Sequence, residues 1–420
     1  MAKLPSAESM LRRALLGITL VLPCLLGFLT TYVLLVLLLV ALAYLVIAGR
    51  RTTASTLRLD VTGWWLLGGW LILAVVNTID SLAAGQPRDI VYAIDFGMLL
   101  LYAPLATLYE RSARPGNAAI VADLALAGAF LSALFTVGDV LLYHPDRAGF
   151  LANNDPIRLG DTTLILGFLA LIGMRTHAGW RGLLYLGGPI LAGVVGLLTG
   201  ARSALLVLPV LAIVAAAFLI RRRLVAATIG AAAVALFLLA GTLAITFHDD
   251  RVTSIIQLAR SAFGGGPVAD EATRQRFALY EAGAEAFGDS PVLGAGWHRR
   301  MAAVNLHLPP ADKALGGLPH LHNEVLNFAV GAGLFGVLAY AVLLLAPVIG
   351  VLRSPRDSQF PQRLYGVALL VSSYVLLGLA DVMLGFETHT ALYVAWAALL
   401  LSYCRDAPLG RPGPEAVRTT

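Results

Sequence analysis

The sequence predicts an all-α polytopic membrane protein. Of its 420 residues, 58% are hydrophobic and only 13% are charged, where a soluble chain carries about 25% charged residues. The apolar residues gather in runs of roughly 20, the length a helix needs to cross the hydrocarbon core. Arginines cluster in alternate connections between those runs, as a chain threaded through a membrane requires. The net charge of +5 is modest and calls for no nucleic-acid partner.

Twelve transmembrane helices are expected, at about 11–29, 31–49, 63–80, 91–109, 118–142, 159–175, 182–199, 203–220, 224–247, 322–352, 362–385 and 388–404. The first two runs are nearly continuous, so the turn between them must fall within Gly27 to Tyr32. No A-x-A-like site separates them from a soluble remainder, so no cleavable signal peptide is expected. Cys24 and Cys404 lie in the first and last apolar runs, which leaves no disulfide framework.

Arginine placement sets the expected orientation. With the N-terminus inside, the inner connections carry Lys3, Arg12 and Arg13, then Arg50, Arg51 and Arg58, and so on through Arg221, Arg222 and Arg223 to the tail. They hold 19 of the 30 basic residues, against four (Arg88, Arg147, Arg158 and Arg202) in the short outer loops. Both termini are therefore expected in the cytoplasm. The expected domains are 1–247 with helices one to nine, 248–321 as one long outer loop, 322–404 with helices ten to twelve, and 405–420 as a cytoplasmic tail. The outer loop starts in a glycine-rich stretch, SAFGGGPVADEA. A helix is expected next, in ATRQRFALYEAGAEAFGDSP, where Phe277, Tyr280, Ala284 and Phe287 share one face. Gly288 and Pro291 end it. Short helical pieces are expected beyond.

Candidate chemistry gathers on the outer side. Seven of the eight histidines fall there, and histidine is at home at any wet interface. A zinc site needs three or four converging ligands. The spacing His320-Leu321-His322 does not put two imidazoles on one helix face, so no metal is expected. His322 stands apart because it opens an apolar helix, HNEVLNFAVGAGLFG. Gly331, Gly333 and Gly336 there allow close packing against a neighbouring helix. A neutral imidazole is a good proton acceptor near pH 7, and Asn323 could orient it or bind a sugar hydroxyl.

Arg202, in LLTGARSALLVL, sits in a short outer turn. An arginine at a helix centre is opposed by roughly 2.5–3.5 kcal/mol on insertion scales. It either snorkels to head groups or clamps an anion, since a guanidinium fork matches phosphate oxygens. Arg276 lies near the apolar face of the loop helix, while Arg274, Glu281 and Glu285 lie on the solvated side. Its partner there is a carboxylate, head groups or a substrate phosphate. Asp381 is expected about one turn below the outer end of helix 362–385, within reach of an arginine or of His322. Arg158, Asp161, Glu387 and His389 also sit at outer helix ends, where structural pairing is the simplest role for each, as it is for Asp381. Asn323, Asp381, Arg158, Arg274 and His320 are the expected supporting groups of the site. A phosphate clamp and a base on the face away from nucleotide supply suggest a lipid-linked pyrophosphate donor.

These residues resemble the bacterial O-antigen ligase and polymerase superfamily. The resemblance rests on His322-Asn323 followed by Gly333-Leu334 and Gly336, and on Thr199-Gly200-Ala201-Arg202-Ser203. It rests also on a loop helix bearing Arg276, then Pro291, Gly294 and Gly296. It spans about residues 60–400. Many members carry an acidic residue where this chain has Gly331, so no role of that carboxylate transfers. The chain looks most similar to O-antigen ligases. That resemblance implies a fold of the glycosyltransferase C type in the bacterial inner membrane, with the long loop in the periplasm. It implies transfer of glycan from undecaprenyl pyrophosphate to a sugar hydroxyl of lipid A–core, with no cofactor. His322 would be the base, and Arg202 and Arg276 would hold the pyrophosphate. A polymerase or a protein O-oligosaccharyltransferase would use the same chemistry on another acceptor. A lipid-linked glycan transporter is the reading from a different class; the absence of an inverted repeat and of midplane polar residues speaks against it.

Overall fold

The computed structural model describes residues 7–51, 59–149, 155–219 and 271–407. They form an all-α polytopic membrane protein, with no strand among the described residues. Nine helices among them are long and apolar enough to cross a membrane. The expected helix 224–247 and nearly all of the glycine-rich stretch and of the tail lie outside the described residues.

The first expected span is broken. Helix α1 (Ala7–Leu16) passes into a π-turn over Gly17–Val21 and a short turn, Pro23–Leu26. Pro23 supplies no amide donor, and Gly27 reverses the chain at φ 53°, a conformation open to glycine. α2 (Leu29–Arg51) follows, then α3 (Val61–Ala83), whose cap Asp60 accepts from Gly63 N at 2.9 Å. The span expected at 91–109 begins as a 3-10 helix, Pro87–Leu101, before α4 (Tyr102–Glu110). α5 (Asn117–Tyr143) exposes Phe130, Leu134 and Leu141, a stripe fit for lipid. By contrast α6 (Pro156–Ala170) is almost wholly buried. α7 (Gly187–Thr199) and α8 (Arg202–Leu219) are joined by the tight turn at Gly200 and Ala201.

The three helices near the C-terminus contribute much of the core. α11 (Glu324–Leu352) and α12 (Phe360–Gly378) precede α13 (Glu387–Ala398), which continues as a π-turn to Tyr403. Every residue from His389 to Arg405 is buried. A span apolar and covered all round belongs at the centre of a bundle. Trp396 Nε1 donates to Thr19 O at 2.9 Å and Tyr393 Oη to Leu343 O at 2.8 Å, so buried polar tips find backbone carbonyls.

Between α8 and α11 lie α9 (Glu271–Asp289), α10 (Arg300–His307) and a 3-10 turn, Pro310–Gly317. They share a small second core of Leu279, Ala282, Ala286, Met301, Val304 and Leu321. The buried face of α9 is therefore not the expected one. Phe277 and Ala284 are exposed, and Tyr280 and Phe287 flank the seam at half burial. Small residues replace the aromatics on the seam because α9 packs tightly there; a Cβ on Gly283 would meet Leu321 Cδ2 at 2.5 Å.

α11 is interrupted at Ala332 (φ −144°) and Gly333 (φ 63°, ψ −151°). The segment 291–296 fills the break with backbone hydrogen bonds, Leu334 N to Pro291 O at 2.8 Å and Ala295 N to Val330 O at 2.7 Å. A Cβ on Gly333 would lie 2.2 Å from Val292 O, and one on Gly294 2.6 Å from the amides of Ala332 and Gly333. Gly333 thus admits a loop segment and Gly331 the Trp297 ring, where the sequence predicts a neighbouring helix. Arg299, paired with Asp80, and His298, stacked on Tyr92 at 4.2 Å, carry the same segment onto α3 and the 3-10 helix.

Candidate active site

His322 stands at the mouth of α11, but it is not the cap. Asn323 is, accepting from Leu326 N at 3.0 Å, while its Nδ2 donates to Leu379 O at 3.3 Å. Its amide is thus engaged with backbone on both sides. His322 takes φ 51°, a left-handed conformation uncommon outside glycine. The turn reverses the chain and swings both imidazoles to one place. His320 and His322 meet edge to face at 4.3 Å, so a spacing that separates them on a helix joins them here.

Asp381 completes the cluster. Its Oδ1 lies 3.5 Å from His322 Nδ1 and 3.7 Å from His320 Nε2. Asp381 is not inside a helix as expected. α12 stops at Gly378, and Asp381 lies in the connection to α13. The His322 N–H donates to His320 Nδ1 at 3.3 Å, which puts the His320 ring proton on Nε2, facing the carboxylate. Burial pushes His320 down to about 4, against the raising effect of Asp381, so it is neutral at pH 7. Burial would raise Asp381, but the two imidazoles outweigh it and hold its carboxyl below the ordinary value. The donor atoms of His320, His322 and Asp381 lie within 4.8 Å of one another, a spacing that could accommodate a cation. The sequence spacing alone had spoken against that convergence.

Two residues overlooked in the sequence order this cluster. Tyr280, on α9, donates to the His322 carbonyl at 2.8 Å. Arg300 donates to Asn327 Oδ1 at 2.9 Å and Pro319 O at 2.9 Å, and its guanidinium covers the Trp297 ring at 4.4 Å. Burial lowers it to about 10, still charged at neutral pH. Arg300 had a legible signal in the run Trp297-His298-Arg299-Arg300; Tyr280 had none beyond its apolar face.

The expected arginines are placed as follows. Arg276 is half-buried on α9, one turn before Tyr280, and acts electrostatically on it. Arg274 is turned elsewhere: it makes a bidentate pair with Asp312 at 2.8 and 3.0 Å and also binds Glu271. It holds α9 to the 3-10 turn. Arg158, in the first turn of α6, stacks over Phe386 beside Asp381. Arg202 begins α8, and the adjacent Ser203 hydroxyl donates to buried Asp161 at 3.4 Å. Asp161 in turn lies within electrostatic range of Asp381 and Arg158.

Helix α9, which carries Arg276, thus meets the His322–Asp381 pair at the mouth of α11, and the segment 291–296 docks into the same helix. Residues 187–341 match the family model described as O-antigen ligase. The match supports the O-antigen ligase/polymerase superfamily. It runs from α7 into α11 and contains Arg202, Arg276, His320, His322 and Asn323, whereas Arg158 and Asp381 lie outside it. No curated protein matches the chain.

Proposed function

We propose that the protein is an O-antigen ligase, which moves a glycan from undecaprenyl pyrophosphate to a sugar hydroxyl of lipid A–core at the periplasmic face of the bacterial inner membrane. The observation that carries the reading is the His322–Asp381 pair at the mouth of α11, inside a bundle whose central stretch matches the ligase family. Asp381 beside Nδ1 favours the tautomer with its proton there. Nε2 is then the free base. It takes the acceptor hydroxyl proton, the oxygen attacks the anomeric carbon, and the bond to the pyrophosphate oxygen breaks. Undecaprenyl pyrophosphate leaves with that electron pair, and direct displacement inverts the anomeric centre. Arg202 and Arg276 hold the pyrophosphate and offset the charge growing on it. The reading needs no metal, no cofactor and no nucleotide.

The same residues would serve a polymerase or a protein O-oligosaccharyltransferase, so the acceptor decides. Purified protein is offered lipid A–core, a growing glycan and a serine-bearing peptide in turn, each with lipid-linked donor. Transfer to lipid A–core is expected, unaffected by chelator, and absent in His322→Ala. Transfer only to the glycan or the peptide would assign a sister activity. Undiminished transfer by His322→Ala would remove the base.

A further inference from the structure

We propose that Glu324 is a positioning residue that holds the Asp381 carboxylate against His322; the inference rests on His322 being the base of the proposed transfer. Glu324 is fully buried at the first position of α11. A buried carboxylate is strongly disfavoured unless donors converge on it. Here the donors are backbone amides of a distant segment. Oε1 accepts from three successive N–H groups: Met383 at 3.1 Å, Leu384, and Gly385 at 3.3 Å. Successive amides aimed at one point form an anion nest, and this nest is filled by the chain's own carboxylate.

The segment so gripped is the connection after Gly378, which carries Asp381. Three consecutive residues at the mouth of α11 hold it at three points. His322 faces the Asp381 carboxylate, Asn323 donates to Leu379 O, and Glu324 gathers the amides of 383–385. Gly378 shows how closely the parts fit, since a Cβ there would lie 2.6 Å from Glu324 Oε2. A first-turn glutamate could merely complement its own helix dipole. The hydrogen bonds of Glu324 run instead across 59 to 61 residues of sequence to the loop. The tether sets the loop's height, and through it the 3.5 Å between His322 Nδ1 and Asp381 Oδ1. A shift of about 1 Å in such a group is enough to slow chemistry by around 100-fold.

The test separates reach from the identity of the acceptor group. kcat and donor KM are measured on detergent-purified, monodisperse protein, per folded molecule, for wild type, Glu324→Ala, Glu324→Asp and Glu324→Gln. Glutamine keeps an acceptor oxygen at full reach; aspartate keeps the carboxyl group but is one methylene short. Glu324→Asp and Glu324→Ala should each lose at least about 10-fold in kcat, with donor KM within about threefold, while Glu324→Gln stays within about threefold of wild type. Wild-type kcat in Glu324→Asp, a loss confined to KM, or Glu324→Gln as slow as Glu324→Asp would overturn the tether. If Glu324→Ala does not fold, the Asp and Gln pair decides alone. An active His322→Ala would sink the catalytic reading. An inactive His322→Ala beside a wild-type Glu324→Asp would sink only the tether.

Discussion

Tyr280 donates its hydroxyl proton to the carbonyl oxygen of His322 at 2.8 Å, across 42 residues of sequence. The acceptor is one of only two non-glycine residues with positive φ among the described residues. Such a backbone costs about 1–3 kcal/mol and persists where the surroundings over-determine it. Tyr280 supplies part of that constraint, from the helix that carries Arg276.

Tyr280→Phe keeps the ring and removes the donor. The lost hydrogen bond corresponds to about 1 kcal/mol, so the variant should fold with a small drop in melting temperature. kcat should fall about 5- to 10-fold, since each 1.4 kcal/mol of barrier is tenfold in rate. Donor KM should stay near wild type. Kinetics on purified protein check this, and an unchanged kcat would remove Tyr280 from the positioning of His322.

Arg276 precedes Tyr280 by one turn, so under the proposed reading donor binding and base placement would share one helix. A pyrophosphate clamp uses the planar fork of arginine, which lysine lacks. Arg276→Lys should therefore retain only part of kcat/KM, and Arg276→Ala should lose about 100-fold or more, the scale of removing one charge-stabilising donor. Arg202 should behave in the same way. Titrating donor against initial rate decides it, and an Arg276→Lys enzyme with wild-type kcat/KM would point to a role in the fold.

Much of this is legible in the sequence. Hydropathy runs predict spans at 63–80 and 118–142, found as Val61–Ala83 and Asn117–Tyr143, because twenty apolar residues in lipid have few other solutions. The triplet His322-Asn323-Glu324 marked the mouth of α11. What stayed hidden depends on partners far away in sequence. Nothing near residue 381 says that α12 stops at Gly378, because the loop's amides are satisfied by Glu324. The glycines at 331, 333 and 336 announced a close approach without naming what approaches; at Gly333 it proved to be the backbone of Val292 and Leu293, at Gly331 the Trp297 ring, and at Gly336 the Phe328 carbonyl of its own helix. The face of α9 was misassigned because aromatics outweigh alanine in any periodicity, although Ala282 and Ala286 are the residues that pack.

The break in α11 gives a stability prediction. Gly333 occupies a region of φ/ψ open essentially to glycine, and a Cβ would lie 2.2 Å from Val292 O. Gly333→Ala should lose about 3 kcal/mol or more and release the 291–296 segment to protease. Gly288 is the control, since a Cβ there meets nothing within 4 Å. Gly288→Ala should be neutral or stabilise α9 by about 0.5–1 kcal/mol. Melting curves and limited proteolysis in detergent check both, and equal stability of the two variants would mean that the break can close into a regular helix.

His320 gives the pH dependence. Its pKa is about 4 in the fold against an ordinary 6.5, because burial disfavours the imidazolium. At pH 7 both the folded and the unfolded chain hold it neutral, so it leaves stability untouched. Between pH 6.5 and 4 the unfolded chain binds the proton and the folded chain does not, so stability falls as pH falls through that window. The shift corresponds to about 3 kcal/mol at its limit. Asp381 acts in the same direction but lower, because its carboxyl is held below 3.8 and its contribution is lost only in stronger acid. The melting temperature of wild type should therefore drop between pH 7 and 4.5, and His320→Gln should drop less over that interval. Parallel curves for the two proteins would mean that His320 takes up its proton in the fold as readily as in the unfolded chain.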